Sequence, residues 1–358
     1  MTATPGAEAA GARRSGGAAT ALAVYAVPLG LAALLLVAVA VGLGAGRYAI
    51  GFGDIMTIVG GWVGIGPGSA GVAETDWRVV ELVRLPRLLV GALTGAGLAL
   101  SGAALQGVFR NPLVGPQLIG VSSGAAFGGA LAILLLLGTA ALIGLAFGFG
   151  LLAMLVVYVI SRQDGRSSVL MLVLAGVVIS AFFSALVSLS MYLADPTDTL
   201  PAIVFWLMGS FATASFDKVW IILAAMTVFG VPLLAMRFSI NVLSLGDEEA
   251  EALGVRVERT RWIALIAVTG ITAASVAIAG IVGWVGLVVP HLARMLVGPD
   301  HRALLPASAL LGASYMIAVD TLARTLTPAE IPLGILTAIV GAPIFAVLLR
   351  RTQNKGWN

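Results

Sequence analysis

The sequence predicts an all-α polytopic membrane protein with about ten transmembrane helices, and three observations carry that reading. Of 358 residues, 59% are hydrophobic and only 10% charged, against the roughly 25% charged residues of a soluble domain. Mean hydropathy is +1.06. The charges also cluster, leaving long apolar stretches between them. A soluble globular enzyme and a disordered chain are excluded. A nucleic-acid binder is excluded as well, because 20 Lys+Arg against 17 Asp+Glu leave only +3, spread along the chain. With no cysteine, a disulfide framework, a thiolate metal site and a thiol nucleophile are ruled out.

A bilayer core of about 30 Å needs roughly 20 apolar residues per helix. By that measure the first span is Ala18–Gly46. Leu88–Val108, Leu118–Leu137, Ala140–Ile160, Val169–Leu193 and Val219–Met236 follow. After a polar gap come Trp262–Ile281, Val282–Val297, Ala303–Leu322 and Ile331–Leu349. Breaks near Gly138 and Gly280–Gly283 are set by glycine alone. Residues 1–17 are Ala/Gly-rich and read as a disordered cytoplasmic tail. Residues 18–351 form one transmembrane domain, and 352–358 a cytoplasmic tail. The first stretch follows Arg13 and Arg14, as in a signal peptide. Its apolar run exceeds the roughly 7–15 residues of a signal core, so it reads as a retained span.

Orientation follows from the basic residues. With ten spans both termini share one side. Placing them in the cytoplasm puts 14 of the 20 basic residues inside and six outside: Arg47, Arg78, Arg84, Arg87, Lys218 and Arg324.

The densest polar segment is Arg237–Arg261, with nine charged residues among 25. Gly246 breaks it. Asp247 can cap a helix whose first turn holds Glu248 and Glu249, and Gly254 can stop that helix in the left-handed region. The segment reads as two short cytoplasmic helices, either a solvated connection or a docking surface for a soluble partner. The only lysines are Lys218 and Lys355, and neither lies in a phosphate-binding loop, so this chain does not hydrolyse ATP by that route.

Ionisable residues inside the spans are scarce. Asp320 reads as a partner to Arg324 at i, i+4, or as a cap. His291, after Pro290, reads as a hydrogen-bonded packing histidine, with a haem-iron ligand as the alternative. His301 reads as a cap or loop residue in a cytoplasmic turn. Ser180, Ser184 and Ser188 recur every four residues on one helix face. They serve either interhelical hydrogen bonding or a mildly polar wall of a path. Gly91 with Gly95, and Gly120 with Gly124 and Gly128, give faces for close helix packing. No nucleophile, base or metal-ligand set clusters, so no catalytic or metal site is predicted.

Several blocks together carry a resemblance. RLPR at Arg84–Arg87 precedes a Gly/Ala-rich span and then Gln106–Leu113, QGVFRNPL. Gly120–Ala125, GVSSGA, and Phe205–Ser210, FWLMGS, follow. Then come the Leu245–Gly254 loop, Gly286–Arg294 running into Gly298–Arg302, Asp320–Arg324, Glu330–Gly334 and Gly341–Pro343. In order and spacing they resemble the permease subunits of type II ABC importers, the family for iron-siderophore complexes, haem and cobalamin. The match runs from about Arg84 to Arg351.

The resemblance implies a homodimer in the bacterial inner membrane with the pathway at the dimer axis. It implies two cytoplasmic ATPase subunits, which use ATP and Mg²⁺, and a periplasmic substrate-binding protein. No cofactor is expected on this chain, and its environment is membrane lipid. Coupling helices are implied within 238–258, carried by Leu245, Gly246, Asp247, Glu248, Glu249, Ala250, Leu253 and Gly254. Arg84, Arg87 and Arg324 are implied to dock the binding protein, through the bidentate fork that suits carboxylates. Ser180, Ser184 and Ser188 become path residues, and Ser167, Ser168, Val169 and Leu170 gate residues. Arg47 and Arg78 are left to headgroup anchoring. Haem is the first expectation for the cargo, then a ferric siderophore, then cobalamin. A secondary transporter or channel working without ATP is the reading from another class.

Overall fold

The computed structural model describes residues 7–163 and 166–353. Fourteen helices account for most of them. They are α1 (Ala7–Gly44), α2 (Phe52–Trp62), α3 (Glu74–Val108), α4 (Val121–Leu134), α5 (Thr139–Ser161), α6 (Val169–Leu193) and α7 (Thr199–Leu207). Then come α8 (Phe216–Ala235), α9 (Arg237–Leu243), α10 (Asp247–Ala252), α11 (Val257–Ala279), α12 (Val285–Val297), α13 (His301–Thr325) and α14 (Leu333–Gln353). Between α5 and α6 lies a two-residue antiparallel pair, β1 (Arg162–Gln163) and β2 (Arg166–Ser167), with Arg162 opposite Ser167.

Seven helices are long and apolar enough to cross a bilayer, and three shorter apolar ones, within α4, α12 and α14, fill the remaining positions of the ten-span reading. α12 has 13 residues, which is roughly 20 Å of rise and too short for a membrane on its own. It follows an unwound segment at Gly280–Trp284, where Gly280 takes φ 72° and Trp284 φ 67°. The sequence placed that break correctly. Where it expected Leu88 to begin the second span, helix runs from Glu74, with a widened turn at Val79–Arg84. α1 likewise begins at Ala7, inside the stretch expected to be disordered, while residues 1–6 and 354–358 lie outside the described residues. α2 and α7, in the outer segments, were not anticipated.

α3 and α11 form the buried centre, and α13 packs most extensively against α3. Small residues set that closeness. A Cβ on Gly95 of α3 would stand 2.2 Å from the Gly312 carbonyl of α13, and one on Gly102 would stand 1.8 Å from the Gly286 carbonyl of α12. Gly124 and Gly128 let α4 approach α5 in the same way, with Cβ positions 2.5 and 2.3 Å from the Phe149 and Leu145 carbonyls. The glycine spacing read from the sequence is therefore a packing device, as small residues are in lipid, where hydrophobicity alone does not drive helices together.

Candidate functional site

At one end of the bundle, α1 terminates with carbonyls that lack intrahelical partners. Arg84 donates to the carbonyls of Leu43 and Tyr48 and, at 3.1 Å, to that of Gly44. Arg324 donates to the Gly42 carbonyl. Two arginines from distant helices thus cap one helix C-terminus, where positive charge is favoured. Gly46 completes the nest, since a Cβ there would fall 2.6 Å from the Arg84 guanidinium.

Arg87 binds two carboxylates at once. Its Nε lies 2.9 Å from both Asp320 oxygens, and its Nη1 and Nη2 lie 3.0 and 2.9 Å from Glu330. Arg324 adds a longer contact to Asp320 at 3.6 Å. Glu330 lies in the loop before α14. Burial pushes its carboxyl up, but the hydrogen bonds and charge of Arg87, helped by Arg47 and Arg324, prevail and hold it below the usual glutamate range.

Arg84, Arg87 and Arg324 are therefore all buried, at 3%, 7% and 8% exposure. As docking residues they were expected to present free guanidinium forks. Their forks are instead occupied within the chain, because the α1 terminus and the carboxylates of α13 and its following loop converge on them. Asp320 pairs chiefly with Arg87 rather than with Arg324, the partner suggested by sequence spacing. On this side Arg47 and Arg78 are exposed; Arg47 donates to the Thr327 carbonyl at 3.3 Å and Arg78 pairs with Glu74 at 2.6 Å.

Away from that end, α9 and α10 are the two short helices expected within Arg237–Arg261. Gly246 separates them at φ 148°, and Gly254 turns at φ 81°. Asp247 does not cap α10 as its sequence position suggested. Gly246 occupies the cap position, and the Asp247 carboxylate accepts from Arg261 Nη2 at 2.8 and 2.9 Å. Arg261, on α11 and 1% exposed, also donates to Glu258 at 2.9 Å, and Arg110 approaches Asp247 at 3.7 Å. Ala250 and Gly246 are buried beneath the pair. Leu245 and Leu253 stand out at 61% and 62% exposure, flanked by exposed Glu248 and Glu249. The result is a braced platform with two apolar anchors among carboxylates.

Sequence reasoning missed the parts that brace it. Arg294 on α12 donates to Gln106 of α3 at 2.8 Å. Asn241 of α9 accepts from the His301 backbone N–H at 3.0 Å, and its Oδ1 lies 3.3 Å from His301 Nδ1. His301 is the first residue of α13 and is buried, so it is a latch between α9 and α13 rather than a loop residue. His291 is half-buried and makes no hydrogen bond among the described residues, unlike the hydrogen-bonded histidine expected. Among the described residues no three His, Asp or Glu side chains converge as metal ligands.

Between the two ends lies α6. Each four-residue step advances about 40° around a helix, so the three serines do not share one environment. The Ser180 hydroxyl is buried without a hydrogen-bond partner. Ser184 and Ser188 are exposed, and Ser188 Oγ donates to the Ser184 carbonyl at 3.0 Å. Val177 and Tyr192 are exposed on the same side of α6, and Phe182 and Leu189 are exposed further round the helix. Of the gate candidates, Ser167 lies in β2, Ser168 occupies the cap position of α6 without a side-chain cap, and Val169 and Leu170 begin the helix, with Leu170 exposed.

The FecCD transport family profile matches residues 34–351 of this chain. The chain belongs to the FecCD transport family. It is 46% identical over 334 residues to the molybdate import system permease protein MolB of Haemophilus influenzae, covering 92% of this chain and 96% of that one. To the hemin transport system permease protein HmuU of Yersinia pestis it is 37% identical over 292 residues, covering 79% and 87%. Among solved structures it resembles a protein assigned to the metal-chelate type of ABC transporter in an inward-facing conformation. That match has a TM-score of 0.81 and 43% identity, and covers 91% and 99% of the two chains. This FecCD chain is thus a multi-pass permease of the type II ABC importer class, a transport subunit.

Proposed function

We propose that two copies of this chain form the membrane part of an ATP-driven importer in the bacterial inner membrane, with both termini cytoplasmic. Two separate ATPase subunits hydrolyse Mg-ATP beneath it, and a binding protein delivers cargo from the periplasmic side. The observation that carries the reading is the α9–α10 platform. Its exposed Leu245 and Leu253, ringed by Glu248 and Glu249, are held from below by Asp247–Arg261 and by Asn241–His301. A push on the platform therefore reaches α11 and α13 directly. Ser167–Leu170 gate the inner mouth of α6, and Ser180, Ser184 and Ser188 line its path. Arg84, Arg87 and Arg324 serve the outer partner indirectly, by fixing the rim on which it sits.

For the cargo we propose an oxyanion of the molybdate kind. The support is the 46% identity to a molybdate permease across nearly the whole of both chains. The exposed hydroxyls of Ser184 and Ser188, polar but uncharged, suit a dianion that must not be trapped. Haem is the second reading, favoured by the bulky apolar residues exposed around α6. Proteoliposomes holding this chain, its ATPase and its binding protein would be assayed with molybdate, haem, a ferric siderophore and cobalamin. ATP-dependent, vanadate-sensitive uptake of molybdate is expected. Vanadate-insensitive transport by the purified chain alone would replace the importer reading with a secondary transporter or channel. Replacing Glu248 and Glu249 with Ala should leave ATP hydrolysis running while uptake falls.

A further inference from the structure

Residues of α5, α7, α8 and α11 and of the loop between α7 and α8 line an open cavity of about 630 Å³. Its polar lining includes Ser210, Thr213, Ser215, Asp217 and Lys218. Lys218 is the only lysine among the described residues. It is half-buried, its Nζ donates to Thr213 Oγ1 at 2.6 Å, and it makes no ion pair among the described residues. Adjoining it, further along α5 and α8, lies a second cavity of about 430 Å³. Ile143 and Ala277 line both, and Phe147, Ile221 and Val228 continue the second. Gly144 of α5 opens this groove, for a Cβ there would meet nothing within 4 Å.

A cationic, hydroxyl-lined pocket that continues into an apolar groove has the two-part chemistry of a glycerophospholipid, and the orientation proposed above sets it at the outer headgroup level. We propose that this is a specific site for one outer-leaflet phospholipid. The phosphate diester sits against Lys218 and the hydroxyls, and one acyl chain lies in the α5–α8 groove. Lysine suits the task because its apolar stem lies along the helices while its ammonium reaches the headgroup plane. Asp217, exposed on the same rim, offers a carboxylate to the ammonium of a zwitterionic headgroup. No part of the transport reading depends on this site.

The test is native mass spectrometry of the full chain in detergent, titrated with phosphatidylglycerol, phosphatidylethanolamine or inorganic phosphate. One bound phospholipid per chain is expected to survive delipidation. Lys218→Gln should weaken it roughly fivefold, the contribution of one lysine near a lipid surface. Gly144→Leu should weaken it by filling the groove while leaving Lys218 in place. Arg78→Ala, at an exposed charge elsewhere on the outer side, should change nothing. Circular dichroism and gel filtration would establish that each variant is folded. Tighter binding of phosphatidylethanolamine than phosphatidylglycerol, lost in Asp217→Asn, would give Asp217 its role. Unchanged lipid occupancy in both Lys218→Gln and Gly144→Leu would overturn the site. So would inorganic phosphate competing as well as the lipids do.

Discussion

Replacing Asp320 with Asn should unfasten the outer ends of α3 and α13. The carboxylate is 2% exposed, and Arg87, 9% exposed, reaches it at 2.8 Å through Nη2. At that distance and an effective dielectric near 20, the attraction is roughly 6 kcal/mol. Desolvating both ions takes back part of it, so the intact pair is worth much less than this. Removing one partner is different, because it strands the other as a buried charge, at a cost of about 3–5 kcal/mol. Glu330 still holds the far side of Arg87 at 2.9 Å, which places the expected loss near the lower end, about 3 kcal/mol. The assay is unfolding in mixed micelles for the wild type, Asp320→Asn, Arg87→Met and the double variant. The second substitution should cost less in the background of the first, with a coupling of roughly 2 kcal/mol. A loss below about 1 kcal/mol together with additive single effects would refute the reasoning. The arginines would then have to be read again as groups kept for a partner.

Glu330 gives a pH signature. Its folded value is held below its ordinary 4.5, so the stabilisation is fully present above that pH and disappears as pH falls through the folded value. Thermal midpoints followed from pH 7 to well below pH 4.5 should drop more steeply for the wild type than for Glu330→Gln, with the difference opening below pH 4.5. Gly102→Ala and Gly95→Ala place a Cβ 1.8 and 2.2 Å from opposing carbonyls, so both should sharply reduce the yield of folded protein. Gly144→Ala, with open space around it, should stay within about 0.5 kcal/mol of wild type; equal yields from all three would contradict the packing account. Arg261→Met removes the brace under α10. Protease accessibility of residues 238–258 should rise and pull-down of the ATPase should fall, while the helical content of the membrane domain stays the same.

The amino-acid sequence by itself determined the broad plan. Scarce charge and long apolar runs set the number of spans, and Lys/Arg asymmetry set their proposed orientation. Gly246 and Gly254 marked the platform helices, because a break at positive φ favours glycine whatever surrounds it. These features are local, and local rules decide them. The roles of the charged residues were not local. Arg87 finds Asp320 and Glu330 across 233 and 243 residues, and Arg84 finds the end of α1 some 41 residues away. Sequence spacing could pair Asp320 with Arg324, four residues on, but could not show that packing of α3 on α13 brings Arg87 closer. Asp247 looked like a cap until the fold set Arg261 beneath it, and His301 looked like a loop residue until Asn241 met it. In lipid a buried ion must find its partner inside the protein, and helix packing alone decides which partner is within reach.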